Sequence, residues 1–204
     1  MSYLDVKDTS TTTETVDTAL SRLLPKELTV LDPSQAEDKN TIAVTKKTAD
    51  AHGLKTIADL APVASSMQFG GAPEDKERFQ GLVGLKKVYG LDFKGFKPLD
   101  QAGPLTITAL ADGNVDAAIL YSTTPEIKQR GFVALTDPEN VFGVQNVIPL
   151  VNSEAVPEKA RKVLDSIAKA LDTTTLTALN AKVQIDKESP VAVAKQWLEE
   201  KSLI

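Results

Sequence analysis

Tyr121-Ser122-Thr123-Thr124 is the stretch of this 204-residue chain whose residue types and position point most directly to chemistry. One aromatic ring and three hydroxyls follow the apolar run Ala117-Ala118-Ile119-Leu120 and precede Pro125. They fall where a buried strand ends and a helix begins, and in open α/β sheets ligands gather outside the carboxyl ends of strands. The local alternative is that a Ser or Thr caps the helix opened by Pro125. Gly70-Gly71-Ala72-Pro73 is placed similarly, after a strand and before a helix. Its backbone N–H groups could receive a carboxylate, or the glycines could simply make a tight strand-to-helix turn; both readings stand. The spacing matches neither a dinucleotide nor a P-loop fingerprint.

Other reactive residues have plainer readings. His52, just before Gly53, suits a helix end, where a cation complements the dipole. Glu74-Asp75, behind Pro73, suits the first turn of a helix by the same argument, rather than a hydrolytic carboxylate pair. Trp197 and Tyr89 read as packing residues on helices. The chain has no cysteine and one histidine. That excludes disulfides, thiolate metal sites, a cysteine nucleophile and a multi-histidine metal centre within one chain. No cofactor motif is present, and no catalytic constellation forms, so the expectation is a non-enzyme. Net charge is −5, which argues against nucleic acid as a partner. With 42% apolar and 25% charged residues the composition is that of a globular protein. Its apolar runs are too short to cross a bilayer.

The elements that would position these groups alternate. Residues 8–17, rich in Thr, Ser, Asp and Glu, read as a solvated lead-in, with Thr15 or Asp17 capping a helix through Leu24. Strands are expected at 27–31, 41–45, 66–69, 93–99, 115–121, 132–135 and 147–151. Helices are expected at 48–52, from Pro73 through Tyr89, at 104–111, 125–130 and 157–171, from about 176 to 182 under a Thr173–Thr175 cap, and after Ser189-Pro190. The pattern implies an α/β fold with a largely parallel sheet and a helical C-terminal region.

From about Leu31 to Ile204 the chain resembles the substrate-binding proteins of ABC importers for glycine betaine, choline and related osmoprotectants. The resemblance rests on Thr41-Ile42-Ala43-Val44, Gly53-Leu54-Lys55-Thr56-Ile57-Ala58-Asp59-Leu60 and Phe69-Gly70-Gly71-Ala72-Pro73-Glu74. It continues through Gly84 to Leu91, Gly103-Pro104-Leu105-Thr106, Gly113-Asn114-Val115-Asp116-Ala117-Ala118, Leu176 to Val183 and Trp197-Leu198-Glu199-Glu200-Lys201. It implies lobes of the type II periplasmic-binding-protein kind that close on a solute without chemistry and hand it to a membrane permease.

By the same resemblance the quaternary-ammonium head of a small, sometimes zwitterionic, solute sits in an aromatic box, held by about 0.5–2 kcal/mol per cation–π contact. Tyr121 is the best match to a box residue, with Ser122 and Thr123 beside it, Gly70 and Gly71 as backbone donors, and Tyr3 as a second tyrosine. Where the family carries Pro-Tyr-Asn this chain has Val144-Gln145-Asn146, so Gln145 and Asn146 stand at a site position that lacks its aromatic. The implied lobes are residues 40–146, complete, and residues 1–39 with 147–204, partial, with hinge strands at 41–45 and 147–151. The family's first segment and export signal have no match before Met1. Met1 to Asp8 has neither a basic nor an apolar leader region, so the chain as written stays in the cytoplasm or is a piece whose signal has been removed. The resemblance itself implies an extracytoplasmic protein. A sensory or regulatory ligand-binding domain, or a partner-binding lobe of the same fold, is the alternative.

Overall fold

A computed structural model of the chain describes residues 12–204. The structure divides into two compact units, one made of residues up to Asp38 together with Gly143–Ile204, the other of Lys39–Phe142.

The 39–142 unit is built on a five-stranded sheet in the order β4-β3-β5-β2-β6. Its strands are β2 (Asn40–Thr45), β3 (Gln68–Gly71), β4 (Gly95–Pro98), β5 (Ala117–Tyr121) and β6 (Phe132–Leu135). β3 pairs in parallel with β4 and β5, while β2 runs antiparallel to both β5 and β6. Four strands therefore point one way and β2 alone is reversed, the largely parallel sheet that the alternating sequence implied. β5 is apolar up to its closing Tyr121, and β2 is apolar at its buried centre (Ile42, Ala43 and Val44), because both faces of the sheet are covered. One core cluster packs Phe69, Leu85, Ile57 and Phe142 against the sheet, and a second packs Leu110, Val115 and Leu120. Phe69 is fully buried, with its ring 4.5 Å from that of Phe93. Each such side chain contributes about 1.5–3 kcal/mol by burial.

Helix α2 (Lys46–His52) is capped by the Thr45 hydroxyl and closed by Gly53 at φ +66°, a left-handed position that glycine adopts without strain. Helices α4 (Pro104–Ala111) and α5 (Glu126–Gln129) begin behind their prolines as read. The expected helix from Pro73 to Tyr89 is broken. A single turn at Pro73–Lys76 is followed by an irregular turn at Phe79–Val83, and only α3 (Gly84–Tyr89) is α-helical. Gly81 lies so close to the main chain of Asp75 that a Cβ there would sit 2.1 Å from the Asp75 carbonyl oxygen. The chain folds back on itself at that point instead of continuing the helix.

In the other unit, α1 (Thr13–Leu23) starts earlier than read. The Thr12 hydroxyl accepts from the Thr15 N–H, so residues 13–17 are helical rather than a solvated lead-in. β1 (Leu28–Val30) pairs antiparallel with β7 (Leu150–Asn152). Hydrogen bonds Ser34 N to Val147 O, Val147 N to Ala36 O and Asp38 N to Gln145 O extend this pairing up to the point where the chain enters and leaves the 39–142 unit. The segment 41–45, expected as a hinge, is instead the interior strand β2, bonded on both sides. Three helices complete the unit: α6 (Glu158–Ala170), α7 (Thr173–Gln184) and α8 (Pro190–Glu200). α7 is capped by Asp172, whose carboxylate accepts from the Thr175 N–H, rather than by the threonines themselves. Among the described residues no helix is long and apolar enough to cross a membrane.

Candidate functional site

Parallel β3, β4, β5 and β6 end at one edge of the sheet, where reversed β2 begins, and the sequence-predicted residues of the 39–142 unit gather there. Tyr121 closes β5 opposite Asn40, and the Tyr121 carbonyl accepts from the Thr124 N–H, turning the chain sharply toward α5. Tyr121 and Ser122 are half-buried, and Thr123 is buried. Ser122 ties this turn to the start of β2: its hydroxyl accepts from the Lys39 N–H at 3.0 Å and its N–H donates to the Lys39 carbonyl at 2.7 Å. Lys39 in turn donates from Nζ to the Asn140 side-chain oxygen at 2.9 Å.

Three polar groups at this edge were not read from sequence: Lys39, Asn40 and Glu126. Lys39 and Asn40 reach Tyr121 and Ser122 only through strand pairing across about eighty residues of chain. Glu126 stands in the first turn of α5. In the structure one of its carboxylate oxygens is buried without a hydrogen-bond donor. A buried, unpaired carboxylate oxygen is costly unless a cation or donor arrives to meet it.

Gly70 and Gly71 end β3 at the same edge. A Cβ on Gly70 would lie 2.9 Å from Leu99 Cδ1, so this glycine lets the second core cluster close over the strand. A Cβ on Gly71 would lie 2.6 Å from Asp75 Oδ2, and that same oxygen accepts from the Ala72 N–H at 2.8 Å. The chain's own carboxylate thus occupies the start of the turn. Asp75 is buried, and burial raises its pKa above the ordinary value, against the pull of the Ala72 N–H.

Gln145 and Asn146 lie in the other unit. The Asn146 side chain accepts from the Thr13 hydroxyl at 2.9 Å and donates to the Ser34 carbonyl at 3.0 Å, pinning α1 to the extended segment. Both residues line a cavity of about 90 Å³ with Val16, Leu20 and Ile148. That is well below the ~300–1,000 Å³ of ordinary ligand pockets. Tyr3 lies outside the described residues. His52 is exposed at the end of α2, as the helix-terminal reading expects. It borders a larger open depression of about 550 Å³ with Thr48, Met67 and Asp116. This depression lies at the amino ends of β3 and β5, the edge opposite Tyr121, and α/β ligand sites form at the carboxyl ends.

Comparison with known proteins agrees with this architecture. Residues 9–200 match the family described as the substrate-binding domain of ABC-type glycine betaine transport systems. A glycine-betaine-binding protein of Pseudomonas aeruginosa is 29% identical over 186 residues, covering 85% of this chain and 60% of its own length. The glycine betaine-binding protein YehZ of Escherichia coli is 28% identical over 181 residues, covering 84% of this chain and 59% of its own length. The chain thus spans about three-fifths of these curated relatives. The crystal structure of a glycine betaine/carnitine/choline ABC transporter superposes with a TM-score of 0.76 at 23% identity, covering 93% of this chain and 69% of its own. That likeness shows the fold, a type II periplasmic binding protein. The chain belongs to the family of substrate-binding domains of ABC-type glycine betaine transport systems.

Proposed function

We propose that this chain binds small quaternary-ammonium solutes of the glycine betaine class, zwitterions included, for an ABC importer, without chemical transformation. The family match over residues 9–200 carries the reading. The relatives named for glycine betaine bring the solute class. The site at the carboxyl edge of the 39–142 sheet supports it in kind. Tyr121 supplies a half-buried ring for the ammonium head through cation–π attraction. The unpaired Glu126 oxygen offers negative charge nearby in sequence, and the Ser122, Thr123 and Lys39 groups offer polar partners for a carboxylate tail.

The working mechanism is closure. Solute binding favours one arrangement of the two units over others, and a membrane permease reads that arrangement. In this reading residues 39–142 form one lobe, the rest of the chain contributes to the other, and the paired crossing segments act as the hinge. The protein works outside the cytoplasmic membrane, where an importer collects its solute.

Isothermal titration of the purified protein with glycine betaine, choline and carnitine tests the reading. A micromolar or tighter site for at least one of them is the expected result. A folded protein that takes up none of the three at millimolar concentration overturns it.

A further inference from the structure

Two consecutive residues ahead of β2 bond to different parts of the chain. The Asp38 N–H donates to the Gln145 carbonyl at 3.0 Å, on the segment that leaves the 39–142 unit. The Lys39 N–H donates instead to the Ser122 hydroxyl at 3.0 Å, and the Lys39 carbonyl accepts from the Ser122 N–H at 2.7 Å. The change of partner puts the pivot of the entering chain between Asp38 and Lys39, at the kind of element end that absorbs backbone rotation.

On its two sides β2 is paired to different depths. The ladder with β5 begins at Asn40, opposite Tyr121, whereas the ladder with β6 begins at Ile42, opposite Leu135. Beyond the end of the β6 ladder the Lys39 side chain takes over. Its Nζ donates to Asn140 Oδ1 at 2.9 Å, on the loop that follows β6. A bond from an ammonium group is stronger than one between neutral partners.

Asn140 belongs to a firm piece of backbone just ahead of Gly143, where the chain leaves the unit. It holds φ +52°, a left-handed conformation that asparagine tolerates better than most residues. Its N–H donates to the Asp137 carbonyl at 3.2 Å. The Asp137 carboxylate in turn accepts from the Tyr89 hydroxyl at 2.5 Å and from the N–H of buried Phe142 at 2.9 Å. The Lys39 ammonium is thus tied to a loop that is itself anchored to α3 and to the core.

We infer, granted the closure mechanism proposed above, that Lys39 is the positioning residue through which occupation of the Tyr121–Ser122 turn reaches the hinge. Its main chain moves with Ser122, and its ammonium carries that displacement to Asn140. The entering and leaving chains therefore shift together rather than independently. Solute contacts at Tyr121 supply the binding energy, and the Lys39–Asn140 bond decides which arrangement of the two crossing chains accompanies it.

Distance measurements across the hinge test this. The chain has no cysteine, so K87C on α3 and K169C on α6, both at exposed positions, put one spin label on each unit and nowhere else. Double electron–electron resonance reads the distance distribution with and without saturating glycine betaine, and calorimetry reads affinity. In the labelled parent the solute should shift the distribution. Lys39→Met keeps the stem and loses the ammonium; Asn140→Gly keeps the left-handed turn and loses the acceptor. Each should still bind, about three- to tenfold more weakly, with a broader distribution before solute and little or no shift after it. Because Asn140→Gly leaves the ammonium in place, it separates this role from a contact between Lys39 and a carboxylate tail. Asn140→Asp retains an acceptor and suits the left-handed backbone, and should restore the shift. Lys47→Met, at an exposed lysine on α2, should behave as the parent. Distributions in Lys39→Met and Asn140→Gly that match the parent overturn the inference, as does a defect that Asn140→Asp shares. If the parent takes up no solute, the proposed function falls, and the solute-free distributions decide alone: broadening in both variants upholds the Lys39 role, and its absence overturns it.

Discussion

Thr106 is fully buried, and its hydroxyl lies 2.7 Å from the Asp100 carboxylate, which also accepts from the Thr106 N–H at 2.9 Å and the Leu105 N–H at 3.0 Å. Asp100, outside the helix by sequence, thereby caps α4 in place of Gly103, which has no side chain to do so. Burial raises the Asp100 pKa, but the Thr106 hydroxyl and the Leu105, Thr106 and Gly103 N–H groups outweigh it and hold the carboxyl below its ordinary value.

Removing that cap should therefore cost stability in a pH-dependent way. Asp100→Ala is expected to destabilise the protein by about 1–2 kcal/mol at neutral pH, the usual worth of a helix cap. Because the folded pKa is depressed, the contribution is fully present above the ordinary carboxylate range and is lost as pH falls through the folded value. Urea unfolding at pH 7 and pH 3 checks this: the gap between wild type and variant should narrow at the lower pH.

Asp75 carries the opposite sign. Its folded pKa is raised, so ionising it opposes folding, and stability is lost as pH rises from the ordinary value through the folded one. Asp75→Asn keeps an oxygen to accept from the Ala72 N–H and removes the buried charge. The variant should gain stability relative to wild type between pH 4 and pH 7, as read by the urea midpoint. A gap that does not change with pH would show that the carboxyl is not held against its charge.

Two glycines on α3 are expected to respond differently to alanine. At Gly84 a Cβ would meet the Phe79 carbonyl oxygen at 2.1 Å and Val141 at 3.0 Å, so backbone must move. At Gly90, φ +70°, the surrounding space is open and only the left-handed backbone is disfavoured, by about 1–2 kcal/mol. Gly84→Ala should cost more than Gly90→Ala, roughly 3 kcal/mol or above. Thermal melts of the two variants give the order directly.

At the proposed solute site, Tyr121→Ala should weaken glycine betaine about tenfold or more, the loss of one good cation–π contact. Tyr121→Phe keeps the ring and should stay within about threefold of wild type. Calorimetric dissociation constants separate the two. Equal affinity for all three proteins would take Tyr121 out of the site.

How far the sequence alone reaches can be followed at individual residues. Gly53, Pro104 and the Val115–Tyr121 run announced a helix end, a helix start and a buried strand, because each signal is carried by its own backbone or immediate neighbours. The break at Gly81 was hidden, since its cause is the carbonyl of Asp75, six residues back and brought close only by the fold. The reversal of β2 was hidden for the same reason: an apolar run of Ile42, Ala43 and Val44 reads alike in either direction. At the candidate site Tyr121, Ser122 and Thr123 were legible as polar groups after a strand. Their neighbours Lys39 and Asn40 were not, because the register pairing them with β5 is a property of the sheet.

The hydrogen-bonded crossing at Asp38 and Gln145 also sets an order of events during synthesis. Residues 39–142 are one uninterrupted stretch, so every strand of the five-stranded sheet is synthesised before β7. Chain growth of ~5–20 residues per second puts about one to three seconds between the end of β6 at Leu135 and the start of β7 at Leu150. The remainder must wait: β1, made early, has no mate until Leu150–Asn152 arrives, and for that interval its apolar residues are exposed to whatever else is nearby. Chaperone dependence should therefore fall on β1 and on the segment that follows Phe142, while the stretch between them depends less on such help.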